Sequence, residues 1–361
     1  HGIQPGDKVA IWAPNCIDWV LAALGIHCAG AVMVPINTRM KGAEAADILA
    51  RSHSRLLFCV GGFLGVDYPA MLAPVRPASL EKIVVFGADW PAFVAGGEAV
   101  PEAAARARAD AVRPDDIADL MFTSGTTGKP KGVMSAHGPT LRAFAEYVRI
   151  IGMRPGDRYL VVNPFFHSFG YKAGWITCLL AGATILPHPV FDAEAVFRRV
   201  ETDRITVLPG PPTLYLSMLA HPRLAEADLS SLRIAVTGAS TIPPVLIERM
   251  REGLGIRVVT TAYGLTECGG LATLCDPDDD AATIAGTSGK AIPGTEVCIM
   301  DPTGRHLPPG EPGEICLRGF HVMAGYFENP EATAETIDGD GWLHTGDIGT
   351  QIGRASCRER V

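Results

Sequence analysis

Short apolar runs alternate with longer stretches in which apolar side chains recur every three or four positions, and this alternation gives the first reading of the chain. Residues 9–13, 31–35 and 56–60 predict buried strands, with helices over 17–28 and 44–51 between them. Strand and helix in this order are the rhythm of βαβ units. The rhythm resumes with strands at 159–162, 184–186, 206–208, 232–236 and 258–262, and helices over 193–202 and 244–252. Beyond about residue 285 the texture changes, and 296–300 and 314–318 read as short strands around the Pro/Gly turn 301–304. The pattern predicts an α/β protein: one α/β subdomain over 1–160, a second over 161–285, both with layered sheets, and a small β-rich subdomain over 286–351. The Ala-rich segment 101–111 is expected to be a surface helix or connector.

One polar interruption carries chemistry. Thr123-Ser-Gly-Thr-Thr-Gly-Lys-Pro-Lys-Gly132 follows the apolar run 120–122 and precedes Val133 and Met134. Glycines let a backbone turn tightly and bring several N–H groups to an anion, hydroxyls add donors, and lysines add charge, so the segment reads as a phosphate cradle anchored in a sheet. The same composition also suits a flexible surface loop. A Walker A loop is excluded by spacing, because only two residues separate Gly125 from Gly128 and Lys129 is followed by Pro130.

Composition narrows the partners. At 361 residues and 47% hydrophobic, the chain can bury a large core. A net charge of −8 with dispersed lysines and arginines argues against nucleic acid. Nine cysteines without a Cys-x-x-Cys pair read as reduced thiols, which implies a cytoplasmic location. The most apolar stretch, residues 20–35, holds His27 and is too short for a span of about 20 apolar residues, so no transmembrane segment is expected. No signal peptide is visible, and His1 is not an initiator methionine.

The cradle is the first of an ordered series that continues with Phe165-Phe-His-Ser-Phe-Gly170, Tyr263-Gly-Leu-Thr-Glu267, Gly313-Glu-Ile-Cys-Leu-Arg-Gly319 and Gly341-Trp-Leu-His-Thr-Gly-Asp347. This series resembles the motifs of the adenylate-forming enzymes, which include acyl-CoA synthetases, luciferases and peptide-synthetase adenylation domains. The resemblance spans nearly the whole chain and implies the large N-terminal domain of that family, two α/β subdomains and a distorted β-barrel. It implies ATP-dependent activation of a carboxylate to an acyl-adenylate with Mg²⁺, loss of pyrophosphate, and thioester formation with CoA. A carboxylate is already a nucleophile, so such a site needs charge neutralisation and in-line positioning rather than a general base.

By the same resemblance, Thr123, Ser124, Gly125, Thr126, Thr127, Gly128 and Lys129 would hold the β- and γ-phosphates, Thr266 the α-phosphate and Glu267 the metal. Tyr263 and Gly264 would meet adenine, Gly238, Ala239 and Ser240 would present backbone groups to the base edge, and Asp347 would accept from the ribose hydroxyls. His167 would gate the path of the carboxylate, with Thr123, Lys129, Thr266 and Glu267 completing the catalytic set. Phe166, Tyr171, Lys172, Gly210, Leu265 and Cys268 would shape the acyl pocket; Lys172 is either a contact for a polar substituent or a solvated lysine at a helix start. The wording of 164–174 and 205–212 is similar to ligases of steroid-derived acids, which implies a bulky alicyclic or medium-to-long acyl carboxylate. A homodimer is also within the family's range.

Two features depart from the pattern. The hinge and C-terminal lid domain of the family do not follow, so adenylation is expected to be crippled, and residues 352–361 look like a translated sequencing adapter, expected to be non-native and disordered. A peptide-synthetase adenylation domain would need an acid near 236–240 to hold an amino group, and none is there. A non-catalytic nucleotide-binding module is the remaining alternative.

Overall fold

The computed structural model describes residues 1–123, 129–238, 242–352 and 355–359, the last by their backbone alone. The chain divides into two compact units. The first comprises His1–Pro139 with the short segments Pro164–His167 and Met323–Pro330.

Its frame is a seven-stranded sheet in the order Gly325–Tyr326, Lys131–Ala136, Ile117–Thr123, Val32–Pro35, Lys8–Trp12, Leu56–Val60, Lys82–Phe86. From Ile117–Thr123 to Lys82–Phe86 neighbouring strands run parallel, and the two strands on the other side are antiparallel. Val9, Ala10, Ile11 and Trp12 are all buried, so this central strand is covered on both faces, which is why its sequence is a continuous apolar run rather than an alternation. Helix Ile17–Cys28 buries Trp19, Ala22, Ala23 and Ile26, one stripe at helical spacing. Helix Gly42–Arg51 starts where Glu44 accepts the Lys41 N–H at 2.7 Å. Trp12 stacks on Tyr68 with ring centroids 4.3 Å apart and anchors the core of this unit. The Ala-rich stretch forms the helix Glu102–Asp110, with no buried residue.

The second unit comprises Thr140–Asn163, Ser168–Val322 and Glu331–Val361. Strands Arg158–Val161 and Thr184–Pro187 pair in parallel, as do Ile234–Gly238 and Val258–Tyr263. The strand expected at 206–208 is reduced to single bridges from Val207 to Tyr159 and to Ile234. Pro209, Pro211 and Pro212 follow, and without N–H groups they cannot extend the ladder. Helices Ala193–Asp203, Pro212–Leu219 and Pro244–Gly253 pack Phe197, Tyr215 and Ile247 into a core with Leu160, Ala235 and Val259.

The β-rich segment is a four-stranded antiparallel sheet, Thr295–Met300, Pro312–Gly319, Leu343–Ile352 and Ala355–Glu359. Within the stretch expected to be a non-native tail, the backbone of Ala355–Glu359 pairs with Ile348 to Ile352. Leu343–Ile352 would otherwise present a row of unpaired backbone groups, and an open edge is a template for any extended segment within reach.

Candidate active site

The cradle sits at the tip of an antiparallel hairpin of the first unit, where Thr123 ends one strand and lies opposite Lys131 of the next. Lys129 is exposed at that tip. Ser124, Gly125, Thr126, Thr127 and Gly128 lie outside the described residues, as do Ala239 and Ser240. Lys131 points its ammonium at the Tyr326 ring, 4.7 Å from the centroid, so of the two lysines it is Lys129 that the hairpin presents.

Phe165 to His167 also belong to the first unit. Phe165 is fully buried; its N–H donates to Asn15 Oδ1 at 2.8 Å and its ring meets Trp19 edge-on at 5.3 Å. That anchor fixes the next two residues, Phe166 and His167, whose rings lie 5.4 Å apart. His167 reaches the surface, yet the protein around it disfavours the imidazolium and lowers its pKa, leaving a neutral ring at pH 7.

The other candidates lie in the second unit. Ser168–Gly170 leads into a π-helical turn, Tyr171–Ile176, in which every side chain is buried. Lys172 is 0% exposed, which removes the solvated-lysine alternative. Its charge acts on Cys268, whose thiol is nonetheless pushed up to about 11 by burial. Gly210 donates its N–H to Val236 O at 3.0 Å, and a Cβ there would lie 2.7 Å from Leu214 Cδ1.

Strand Val258–Tyr263 runs straight into the Thr-Glu motif. Leu265 O accepts from the N–H groups of Cys268 and Gly270 at 3.0 and 2.9 Å, folding Thr266–Cys268 into a single 3₁₀ turn with Thr266 and Glu267 half-buried. Two glycines close it: Gly269 has φ +71°, and Gly264 approaches the backbone of Gly270 and Leu271 so closely that a Cβ would lie 2.6 Å away. Gly238, at the end of the neighbouring strand, packs its Cα against Ala262 O, 3.1 Å from where a Cβ would stand.

Tyr263 and Asp347, assigned to opposite ends of one nucleoside, meet directly: the phenol donates to Asp347 Oδ2 at 2.9 Å. Burial raises the Tyr263 pKa strongly, so it remains a donor at any physiological pH. The pair is held by a core of Tyr263, Cys268 and Ala272 with Ile299, Ile315, Leu317 and Leu343 of the four-stranded sheet.

Sequence reasoning gave no role to three motif residues that surround Asp347. Glu314 Oε1 accepts the Gly346 N–H at 2.8 Å, Glu314 Oε2 lies 2.8 Å from His344 Nδ1, and Thr345 Oγ1 donates to Ile315 O at 2.7 Å. Glu314 raises the His344 pKa, against burial and with help from Asp338. Their signal in the sequence was polarity at positions flanking apolar strand runs. Glu314, Cys316 and His344 have ligand atoms within 4.8 Å of one another. The 2.8 Å separation of Glu314 and His344 is that of a hydrogen bond, since two ligands on one tetrahedral ion stand roughly 3.3 Å apart.

Residues 1–327 match the family described as "AMP-binding enzyme". The chain is 49% identical over an alignment of 367 positions, covering all of its length and 70% of the relative's, to the 3-[(3aS,4S,7aS)-7a-methyl-1,5-dioxo-octahydro-1H-inden-4-yl]propanoyl:CoA ligase of Mycobacterium tuberculosis. It is 49% identical to the protein of the same description from Rhodococcus jostii, over 96% of this chain and 68% of that one. Among solved structures, the anthranilate CoA ligase AuaEII in complex with anthranoyl-AMP superposes with a TM-score of 0.85 at 27% identity, covering 99% of this chain and 67% of that one. Among the described residues, no helix is long and apolar enough to cross a membrane.

Proposed function

Because this chain belongs to the AMP-binding enzyme family and is an AMP-forming acid–thiol ligase that uses ATP and CoA, we propose that its acid is a bulky alicyclic propanoate of the kind named for its relatives, activated with Mg²⁺ in the cytoplasm. The observation that carries the choice of acid is the 49% identity along the whole chain to two ligases of that description.

The chemistry asks little of the protein beyond charge and alignment. The substrate carboxylate attacks the α-phosphorus of ATP and pyrophosphate leaves; the thiol of CoA then displaces AMP from the acyl carbon. Thr123 and Lys129 are assigned to the phosphates that depart, Thr266 to the phosphate that is attacked, and Tyr263 with Asp347 to the nucleoside. Glu267 offers carboxylate oxygens beside Thr266, the ligand type that suits a hard cation, and Mg²⁺ held there would neutralise phosphate charge. His167, neutral by virtue of its surroundings, is assigned to admit the incoming carboxylate without trapping it as an ion pair.

Pyrophosphate release across a panel of carboxylates, followed by thioester formation when CoA is added, tests the reading. The expected order places fused-ring propanoates above long-chain fatty acids and far above acetate. Preference for acetate or for an amino acid would overturn it.

A further inference from the structure

Strand Leu343–Ile352 departs from its partner and rejoins it. Leu317 pairs with Leu343 and Cys316 with His344, but Glu314 pairs with Ile348, so Thr345, Gly346 and Asp347 stand opposite Ile315 alone. A bulge of this kind turns a side chain out of the alternation that a regular strand would impose. The side chain re-aimed here is that of Asp347.

Several contacts pin the bulge. Thr345 Oγ1 donates to Ile315 O at 2.7 Å and accepts the Asp347 N–H at 3.1 Å; Gly346, at φ +72°, gives its N–H to Glu314 Oε1 at 2.8 Å. The other Glu314 oxygen is held by His344 Nδ1 at 2.8 Å, His344 Nε2 faces Asp338 Oδ2 at 3.4 Å, and Asp338 Oδ1 accepts the Trp342 and Asp340 N–H groups at 2.9 and 3.0 Å. Carboxylate, imidazole and carboxylate thus form a chain that begins on a fixed turn and ends on the backbone N–H immediately before Asp347. Glu314 lies next to the bulge in the opposite strand, and its two oxygens do different work: one holds the loop, the other is held by it.

We infer that Glu314 is a positioning residue for the nucleotide, fixing the bulge that aims Asp347 at the ribose hydroxyls, with His344 and Asp338 holding Glu314 in place. This rests on the ribose role proposed for Asp347. Removing the Gly346 acceptor frees a loop of three residues opposite one, and the Asp347 carboxylate then loses its fixed relation to Tyr263. Pyrophosphate carries no ribose, so its binding should not feel the change.

Isothermal titration of the chain with ATP and, separately, with pyrophosphate tests the inference. Glu314→Ala should weaken ATP binding about tenfold, the loss of a charged hydrogen bond and what it orders, and leave the pyrophosphate Kd within about twofold. Glu314→Gln keeps an oxygen for Gly346 and should recover most of the loss. The variant lacking both Glu314 and Asp347 side chains should bind ATP no worse than Asp347→Ala alone, since the two act through one contact. Unchanged ATP binding in Glu314→Ala, or a double variant that loses the product of the two single effects, overturns the inference. If Asp347→Ala itself leaves ATP binding unaltered, the ribose role falls and this inference with it; if Asp347→Ala weakens binding and Glu314→Ala does not, only the inference falls.

Discussion

Tyr263 does two jobs with one side chain, and the structure separates them. Its ring belongs to the core shared with Ile299, Ile315 and Leu343, while its hydroxyl holds Asp347 Oδ2. Tyr263→Phe keeps the ring and deletes the donor. Losing a partly buried hydrogen bond costs roughly 1–2 kcal/mol, which should lower the melting temperature by about 2–6 °C, and with Asp347 no longer oriented the ATP Kd should rise about five- to thirtyfold by calorimetry. An unchanged Kd would show that Asp347 needs no orientation from Tyr263. Both residues were legible in the sequence as motif members, since each stands in a segment whose order and wording mark it. Their contact was not: 84 positions separate them, and nothing in either segment states that the two strands share a core. Glu314 and His344 were visible as polar residues beside apolar runs, but only the register of their two strands shows that they touch.

At the level of elements, the turn after Val258–Tyr263 is closed by backbone packed on backbone. A methyl group at Gly264 would stand 2.6 Å from Gly270 C and Leu271 N, and backbone cannot step aside as a side chain can. Gly264→Ala should therefore cost about 1–3 kcal/mol and lower the melting temperature by roughly 2–10 °C in scanning fluorimetry, with displacement of Thr266 and Glu267 read as weakened ATP binding. An alanine variant with wild-type melting would mean that the turn has slack. Strands such as Leu56–Val60 and helices such as Ile17–Cys28 were predictable to the residue, because burial on both faces or along one stripe writes itself into the apolar pattern. Other elements were not, and three of them show why. The Val207 segment is cut short by prolines whose effect depends on the ladder they would have joined, the π-helical turn at Tyr171–Ile176 has no local signature, and Ala355–Glu359 takes its form from the edge beside it.

At the level of the whole molecule, pH enters through histidines shifted in opposite directions. His321 is 3% exposed, with Nε2 against Thr295 Oγ1 at 3.0 Å, and burial pushes its pKa down to about 4. Between that value and the unfolded one of about 6.5, the unfolded chain binds a proton that the folded chain refuses, so this residue's contribution is present above pH 6.5 and is lost as pH falls toward 4. His344 behaves the other way: its pKa is raised by Glu314, so its contribution is complete below about 6.5 and fades as pH climbs through the raised value. Melting temperature should accordingly drop on acidification from pH 6.5 to 4.5, and His321→Gln should flatten that slope; an identical slope in the variant would assign the acid sensitivity elsewhere.

The core that binds Tyr263 to the strand carrying Asp347 also limits how this family can be recombined. A chimera that takes residue 263 from one parent and 347 from another inherits two halves of one hydrogen-bonded pair shaped in different ancestors, and the Ile299, Ile315 and Leu343 contacts around it are divided by the same cut. Exchange of segments between such ligases is thus best made with Val258 through Ile352 inherited as a single block, so that this core comes from one parent.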